Sequence, residues 1–579
     1  MLGLGLSLVS IAVRQLLGGA FSPAILFGTS DQGVWYDPSD YSTLFQDAAG
    51  TTPVTALEQP VGLMLDKSKG LVLGPELVVN GGFDTDLSGW SVVAPATAEW
   101  TSNGIRVSRN SGSFNWQAAA PISLVAGKSY KVSFSITSTP TAANGGLEIY
   151  TANRATARYL IANFRYPSIG TYSAVFTATI TENALVMVGI SGSMTGEVTL
   201  DNISVRELPG NHASQPTATS RPVVSARVNL LTKTEQFDDG VWAKSNVTVG
   251  GNKVIPNATS GQHFVGQGIA ASGVTHTIVV KAKQAGYTWL KLVAFNQYAN
   301  FDLSSGVVGA NFSGVSRSIS AAEDGSYICS FTFTSASSVS LQGCIIKVAT
   351  ADNASWDTAN FSGNGTDGID VYYADLRVAN DGVGIPAYQR VNTATDYDST
   401  GFPVYLRADG VDDGMVTNSI DFTATDKMTV VAGVRKLSDA VTGFLAELST
   451  TVANAGTFGL QAPNTAGTYR FESGGSIPYA GVATASGYAA PITNVITGIG
   501  NISGDQSILR VDAIQAAINT GDQGAGTFGN YPLYLFRRGG SSLPFNGRFY
   551  GLTIVNKLLS TTELEQLETY VNGKTRAFA

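Results

Sequence analysis

Tyr130-Lys131-Val132-Ser133-Phe134-Ser135-Ile136 puts apolar side chains at every second position, the period of a strand with one buried and one wet face. The pattern returns at Thr275-His276-Thr277-Ile278-Val279-Val280-Lys281 and at Lys427-Met428-Thr429-Val430-Val431-Ala432. Asn80-Gly81, Asn144-Gly145 and Asp409-Gly410 punctuate the strands as turns. Strands spaced by roughly ten residues, without long amphipathic helices between them, predict an all-β chain of several β-sandwich (jelly-roll) domains. No short repeat marks a solenoid or propeller, nor do stacked coils mark a β-helix. One helix is expected at the end. Ser560 and Glu563 form a capping box, Leu564, Leu567 and Val571 make one apolar stripe, and Gly573 supplies the stop.

Composition narrows the function. The 579 residues are 44% hydrophobic and only 13% charged, so a large core is available and global disorder is excluded. The length predicts three or four domains. A formal net charge of −8 argues against a surface that tracks nucleic-acid phosphates. Three histidines, His212, His263 and His276, and two cysteines leave little material for zinc chemistry or a catalytic triad. Cys329 and Cys344 fall in strands and read as buried thiols, with a disulfide open if those strands are neighbours. Met1 to Val13 is apolar but too short to span a bilayer, and Arg14 separates it from a second apolar stretch, Leu16 to Phe27. No Lys or Arg precedes Val13, unlike a secretory signal. Residues 1–28 are therefore expected to be a retained apolar arm that docks into a partner or bundles with its own copies, with no transmembrane span.

The segment Val34-Trp35-Tyr36-Asp37-Pro38-Ser39-Asp40, followed by Thr43-Leu44-Phe45-Gln46-Asp47, Gly50-Thr51-Thr52-Pro53-Val54 and Val61-Gly62-Leu63-Met64-Leu65-Asp66-Lys67-Ser68, resembles the opening of a family of phage and prophage virion proteins. The phrase resumes about 140 residues later at Gly210-Asn211-His212-Ala213-Ser214-Gln215 and Ala218-Thr219-Ser220-Arg221-Pro222. It resumes again at Tyr388-Gln389-Arg390-Val391-Asn392-Thr393-Ala394-Thr395-Asp396-Tyr397 and runs into Tyr405-Leu406-Arg407-Ala408-Asp409-Gly410-Val411-Asp412-Asp413. The resemblance implies a concanavalin/laminin-G-like host sandwich, discontinuous over 29–73, 209–228 and 392–579, split by insertions at 74–208 and 229–391. A split of this kind is thermodynamically mild, since doubling a loop adds about 0.6 kcal/mol of closure cost.

The first insertion resembles carbohydrate-binding modules through Asn80-Gly81-Gly82-Phe83-Asp84 with Ser88-Gly89-Trp90, Leu124-Val125-Ala126-Gly127-Lys128-Ser129-Tyr130, and Leu200-Asp201-Asn202-Ile203-Ser204-Val205. In such modules the first and last strands bracket a structural calcium, which implies Asp84 and Asp201 as oxygen donors. Asp84 stands where the pattern has Glu. The second insertion opens with Asn229-Leu230-Leu231-Thr232-Lys233-Thr234-Glu235-Gln236-Phe237 and Trp242-Ala243-Lys244, and closes with Tyr372-Tyr373-Ala374-Asp375-Leu376-Arg377. It is similar to a sandwich module recurrent in phage fibre proteins. Concanavalin-like domains also hold calcium near loop carboxylates, which implies Asp409, Asp412 and Asp413, although Asp409-Gly410 reads equally as a tight turn.

Sugar binding on a sandwich calls for aromatic faces beside amides and carboxylates. The first insertion offers Trp100, Trp116, Gln117, Tyr150, Tyr159 and Tyr166, with Trp116-Gln117 foremost, while Trp90 belongs to the opening motif and is expected in the core. The second insertion offers Trp289, Tyr298 and Trp356, with Asn296 and Gln297 beside Tyr298. Catalysis finds no support: no G-x-S-x-G, H-E-x-x-H or P-loop is present, and no sequence signal brings two carboxylates together for glycoside hydrolysis. The expectation is a non-enzymatic virion protein, a tail-fibre or tail-tip subunit. It would attach to host-surface glycan, contact other virion proteins through 1–28, assemble as a homo-oligomer (a trimer by family resemblance) and bind no nucleic acid. The alternatives are a capsid-decorating or head-fibre protein and a polysaccharide depolymerase.

Overall fold

The computed structural model describes residues 21–92, 97–109, 118–138, 146–152, 158–165, 168–178, 182–190, 196–269, 273–335, 343–355, 360–379, 381 and 387–579. Among them the protein is almost entirely β, with antiparallel pairing throughout the sheets and one α-helix, Thr561–Thr575. The quoted alternation translates directly into burial. In Ser129–Ile136, Tyr130, Val132, Phe134 and Ile136 are buried and Lys131, Ser133 and Ser135 are half-buried. The chain forms two compact units, one from Met1–Val224, Tyr405–Ala489 and Val495–Lys574, the other from Ser225–Val404, Ala490–Asn494 and Thr575–Ala579.

The first unit holds four sheets. A nine-stranded sheet runs, in spatial order, through Leu44–Phe45, Leu63–Met64, Ala213–Ser214, Met415–Asp421, Asn530–Leu535, Phe444–Leu448, Thr457–Gln461, Thr468–Gly474 and Gly481–Ser486. Three stretches distant in sequence thus share one sheet: Ala213 pairs with Met64, and Ser214 pairs with both Leu63 and Val416. An eight-stranded sheet includes Tyr405–Asp409, Asn546–Val555, Lys427–Lys436, Ile492–Asn501, Gln506–Val511 and Ile514–Asn519, with Gly33–Tyr36 also paired to Asn546–Val555. Two five-stranded sheets lie within 74–208: one contains Ala118–Leu124 and Glu182–Ile190, the other Ser129–Ile136, Gly196–Glu207 and Thr97–Thr101. A continuous core that includes Phe83, Trp90, Val107, Ile122, Phe134 and Leu200 fills them. Trp90 is in that core, as its place in the opening motif predicts.

The second unit has two six-stranded sheets. One is Ala243–Ser245, His263–Gln267, Cys344–Ala349, Trp289–Ala294, Gln297–Asp302 and Val307–Asn311, and the other contains Gly368–Val378, Thr275–Ala285 and Tyr327–Thr334. Cys329 and Cys344 belong to different sheets, both in the core and both free thiols. Burial pushes both thiols far above the usual range, which makes them inert hydrophobes.

The helix begins where the capping box places it: Ser560 Oγ accepts from Glu563 N–H at 3.3 Å, and Glu563 Oε2 accepts from Ser560 N–H at 2.9 Å. Leu564, Leu567 and Val571 are buried. The stop differs from the expectation. Gly573 lies inside the helix, and the residue that turns left-handed is Arg576 at φ 54°. Residues 21–28 pack on the first unit. Ser22 Oγ caps the short 3-10 turn Pro23–Leu26, Leu26 is 1% exposed, and the Phe21 ring meets Tyr570 of the helix edge-on at 6.1 Å. Residues 1–20 of the expected arm lie outside the described residues.

Candidate functional site

A buried joint ties the first sequence stretch to the second. The Asp66 carboxylate accepts from the backbone N–H groups of Trp35 (2.7 Å), Ser68 (2.8 Å) and Asn211 (2.8 Å), and from Ser68 Oγ (2.7 Å). Its own N–H donates to His212 Nδ1 at 3.0 Å, so His212 Nε2 carries the hydrogen and faces Leu208 O at 3.3 Å. Burial pushes Asp66 up, and those donors only partly offset it. Burial also lowers His212 to about 4, so the imidazole is neutral at physiological pH. Imidazole and carboxylate are linked through a backbone N–H, not to each other. This arrangement is an assembly joint rather than a catalytic pair.

The acidic loop is held by other residues of the same chain segments, Gln215 and Ser220, and by Arg537. Asp409 ends the strand Tyr405–Asp409, and Gly410 turns at φ 76°, where a Cβ would sit 2.6 Å from Asn546 Cβ. Glycine is needed there on both counts. Asp409 Oδ1 accepts from Val411 N–H at 2.8 Å and Asp412 N–H at 3.3 Å, and Asp413 Oδ2 accepts from Asp409 N–H at 2.9 Å. Asp412 Oδ2 accepts from Ser220 Oγ at 2.7 Å, while its carbonyl accepts from Arg537 Nη1 at 3.0 Å. Gln215 Nε2 donates to Gly414 O at 2.6 Å. The three carboxylates each present one ligand oxygen, all within 4.8 Å of one another, the one such group of three or more among the described residues. Burial, then repulsion from Asp409 and Asp412, raises Asp413 to about 6 against the opposing bond from Asp409 N–H. An all-oxygen, triply acidic set whose members repel one another suits a hard divalent cation, with calcium's further ligands left to water or carbonyls. Asp409, Asp412 and Asp413 fit such an ion. The other implied pair is less gathered: Asp84 is exposed, and Asp201 Oδ1 accepts from the neighbouring Asn202 N–H at 2.7 Å. No third acidic, His or Cys ligand joins either of them among the described residues.

Trp100 lies on Thr97–Thr101, the edge strand of its five-stranded sheet. Its indole N–H donates to Phe83 O at 2.6 Å while the residue stays 43% exposed. The ring is thus fixed in orientation with its polar end already used, leaving apolar surface open. Glu99, beside it on the strand, pairs with Arg106 across the sheet. Tyr150 and Tyr159 sit on the paired strands Gly146–Ala152 and Arg158–Arg165, but their side chains lie outside the described residues. Trp116, Gln117, Tyr166 and Trp356 lie outside them altogether.

In the second unit, Trp289 and Tyr298 come to the same face of one sheet. Trp289 pairs with Asp302, Lys291 with Asn300, and Val293 with Tyr298. Tyr298 is only 6% exposed, and the Lys291 ammonium lies 5.0 Å from the centre of its ring. Lys291 Nζ donates to Asn353 O (3.0 Å) and Ser355 O (2.5 Å), and Asn300 Nδ2 to Asp352 Oδ1 (2.7 Å) and Asn353 O (2.9 Å). The chain's own 352–355 stretch therefore occupies the polar groups of this face, and Trp289 at its end is half-buried. Asn296, at φ 63°, belongs to the hairpin turn, and Gln297 Nε2 donates to Thr334 O at 2.6 Å. Sequence reasoning did not single out Lys291, Asn300 or Asp352. Their signal was a lysine in the middle of an otherwise apolar strand, Trp289-Leu290-Lys291-Leu292-Val293.

No protein-family model matches the chain, and no curated protein does. Among solved structures, the chain is similar to the CBM40 domain of a Ruminococcus gnavus IT-sialidase bound to α2,3-sialyllactose: 19% identity, 25% of this chain and 83% of that one, TM-score 0.21. It is similar to the CBM22 tandem of Paenibacillus barcinonensis Xyn10C: 10% identity, 53% of this chain and 98% of that one, TM-score 0.21. It is also similar to domains LG4-5 of the mouse laminin α1 chain: 14% identity, 58% of this chain and 94% of that one, TM-score 0.22.

Proposed function

We propose that this protein is a non-catalytic, glycan-binding virion component, a tail-fibre or tail-tip subunit that attaches to host-surface sugars through its sandwich modules. In this reading, one host sandwich built from 29–73, 209–228 and 392–579 carries the two inserted modules, and residues 1–28 join the subunit to other virion proteins. Several copies, three by family resemblance, would supply avidity to sites that are individually weak. The observation that carries the glycan reading is Trp100, an aromatic ring held by Phe83 O and left 43% exposed on a sandwich edge. Such a ring presents a flat apolar surface to the C–H face of a sugar without losing side-chain freedom on binding. The acidic loop Asp409–Asp413 takes a structural calcium in this scheme.

A glycan array probed with the purified protein tests the reading, with the Trp100→Ala variant run beside it. Binding to a defined set of glycans is expected, weakened about fivefold or more in the variant, the equivalent of about 1 kcal/mol of lost ring contact. An array without signal, or a variant that binds as the parent does, removes Trp100 as the sugar contact. Antibody labelling of particles separates tail from capsid placement, and an assay for new reducing ends on host polysaccharide separates attachment from depolymerisation.

A further inference from the structure

The nine-stranded sheet carries a pair of buried acids outside the sites described above. Glu447, on Phe444–Leu448, is 0% exposed, and Glu472, on Thr468–Gly474, is 1% exposed. They lie two strands apart with Gly459 between them in register. A Cβ at Gly459 would stand 3.0 Å from Glu472 Oε1 and 2.8 Å from Val452 Cγ1. The missing side chain is what lets Glu472 lean toward Glu447 beneath the 449–456 loop.

The polar contacts are unevenly shared. Glu447 Oε1 accepts from Arg538 Nε at 3.0 Å and from Val452 N–H of the covering loop at 2.9 Å. Glu472 Oε1 accepts from Gln461 Nε2 at 2.7 Å and lies 4.0 Å from Arg538 Nη2. Arg470 Nε forms an ion pair with Glu472 Oε2 at 3.1 Å, yet the two are not aligned as a hydrogen bond, and neither atom has a hydrogen-bond partner. Glu447 Oε2 is likewise buried without a donor. The surroundings add no further charge. Strand Thr457–Gln461 and the 449–456 loop carry none, Tyr534 faces Glu447 from Asn530–Leu535, and Arg537 is bound to Asp412 O and Ser541 O.

Two fully buried carboxylates, each with one oxygen that lacks a hydrogen bond, are costly when both are ionised, even with Arg538 bonded to Glu447 and Arg470 paired with Glu472. A proton on one removes a charge and turns an orphaned acceptor into a hydroxyl. We propose that Glu447 and Glu472 hold one proton between them in slightly acid solution, and that its loss on the way to neutral pH loosens the 449–456 loop from the sheet. Burial raises both acids. Glu447 is pushed up to about 7 against Arg538 and the Val452 N–H bond, with a smaller rise from Glu472, and Glu472 is raised against Arg470, Gln461 and Arg538. The sign follows from linkage. A carboxyl held above its ordinary value favours the closed form below that ordinary value, near 4.5, and the advantage is lost as pH climbs through 7.

Hydrogen–deuterium exchange of the full-length protein, read by mass spectrometry over 444–461 and corrected for intrinsic rates, measures the opening of this segment. Glu447→Gln mimics the protonated acid and keeps an oxygen for Val452 N–H. The ratio of opening constants, parent over E447Q, is expected to rise up to about tenfold per pH unit between pH ~5 and ~7, then level off. Should E447Q fold poorly, Glu472→Gln gives the same comparison, because losing the neighbouring charge moves the parent's window to lower pH. The infrared band of a protonated carboxyl at pH ~6 should be present in the parent and reduced in E447Q. A ratio flat across that range, or a carboxyl band equal in parent and variant, overturns the proposal.

Discussion

Single residues here act through their position in a fold that brings them together, and the acidic loop is the clearest case. Asp409, Asp412 and Asp413 read in sequence as a turn with spare charge. Only the contacts from Ser220, Gln215 and Arg537 show the loop clamped by segments about 190 and 120 residues away. With Asp413 raised to about 6, a proton competes with any cation for that carboxylate. Calcium affinity by titration calorimetry is therefore expected to rise with pH, by about fivefold from pH ~5 to ~6 and about tenfold from ~5 to ~7, and to level off above ~7. Asp413→Asn should abolish the pH dependence and most of the heat. An affinity that does not change with pH would separate Asp413 from the ion. Trp100 shows the opposite limit. Its residue type suggested sugar contact, but the bond to Phe83 O that frees its face is a tertiary fact.

At the scale of elements, local pattern was read well and termination less so. Period-two alternation at 130–136, 275–281 and 427–432 became the strands Ser129–Ile136, Thr275–Ala285 and Lys427–Lys436, but the last is buried on both faces from Met428 onward and has no wet face, because the rest of the fold covers it. The capping box started the helix because its two reciprocal bonds involve only neighbours in sequence. Ser560→Ala should cost about 1 kcal/mol of stability in denaturant unfolding, and Ser560→Asp should restore most of it. Loss of stability in both variants alike would mean that Ser560 matters for packing rather than capping. The stop at Gly573 failed for a physical reason. Glycine is merely permissive, and buried Val571 and Thr575 carry the helix two residues further before Arg576 adopts the left-handed turn.

Across the whole molecule, the deciding feature is one sheet assembled from stretches near Met64, Ala213 and Val416. Bonds between Asp66, Asn211 and His212 seal the first two, and an ion pair between Lys557 and Asp31 at 2.8 Å joins the chain's last segment to its first. The amino-terminal region divides accordingly. Leu26 is buried against this body. On the proposed virion role, removing residues 1–20 should abolish incorporation into particles. Extending the deletion to residue 28 should lower stability by about 2 kcal/mol, the cost of losing a buried leucine and its neighbours. Normal particle assembly by the shorter truncation would refute the anchoring role.

The sequence by itself determined the all-β class, the strand positions, the helix start and the scarcity of histidine and cysteine, because these follow from composition and from periods of two and 3.6 residues. It left open which strands are neighbours, whether Cys329 and Cys344 meet, and which aromatics remain exposed. Only the tertiary structure decided that Tyr298 lies beneath Lys291, that Asp412 meets Ser220, and that Glu447 and Glu472 share one buried face. Sheet pairing here joins residues more than a hundred positions apart, and local periodicity carries no information about partners at that distance.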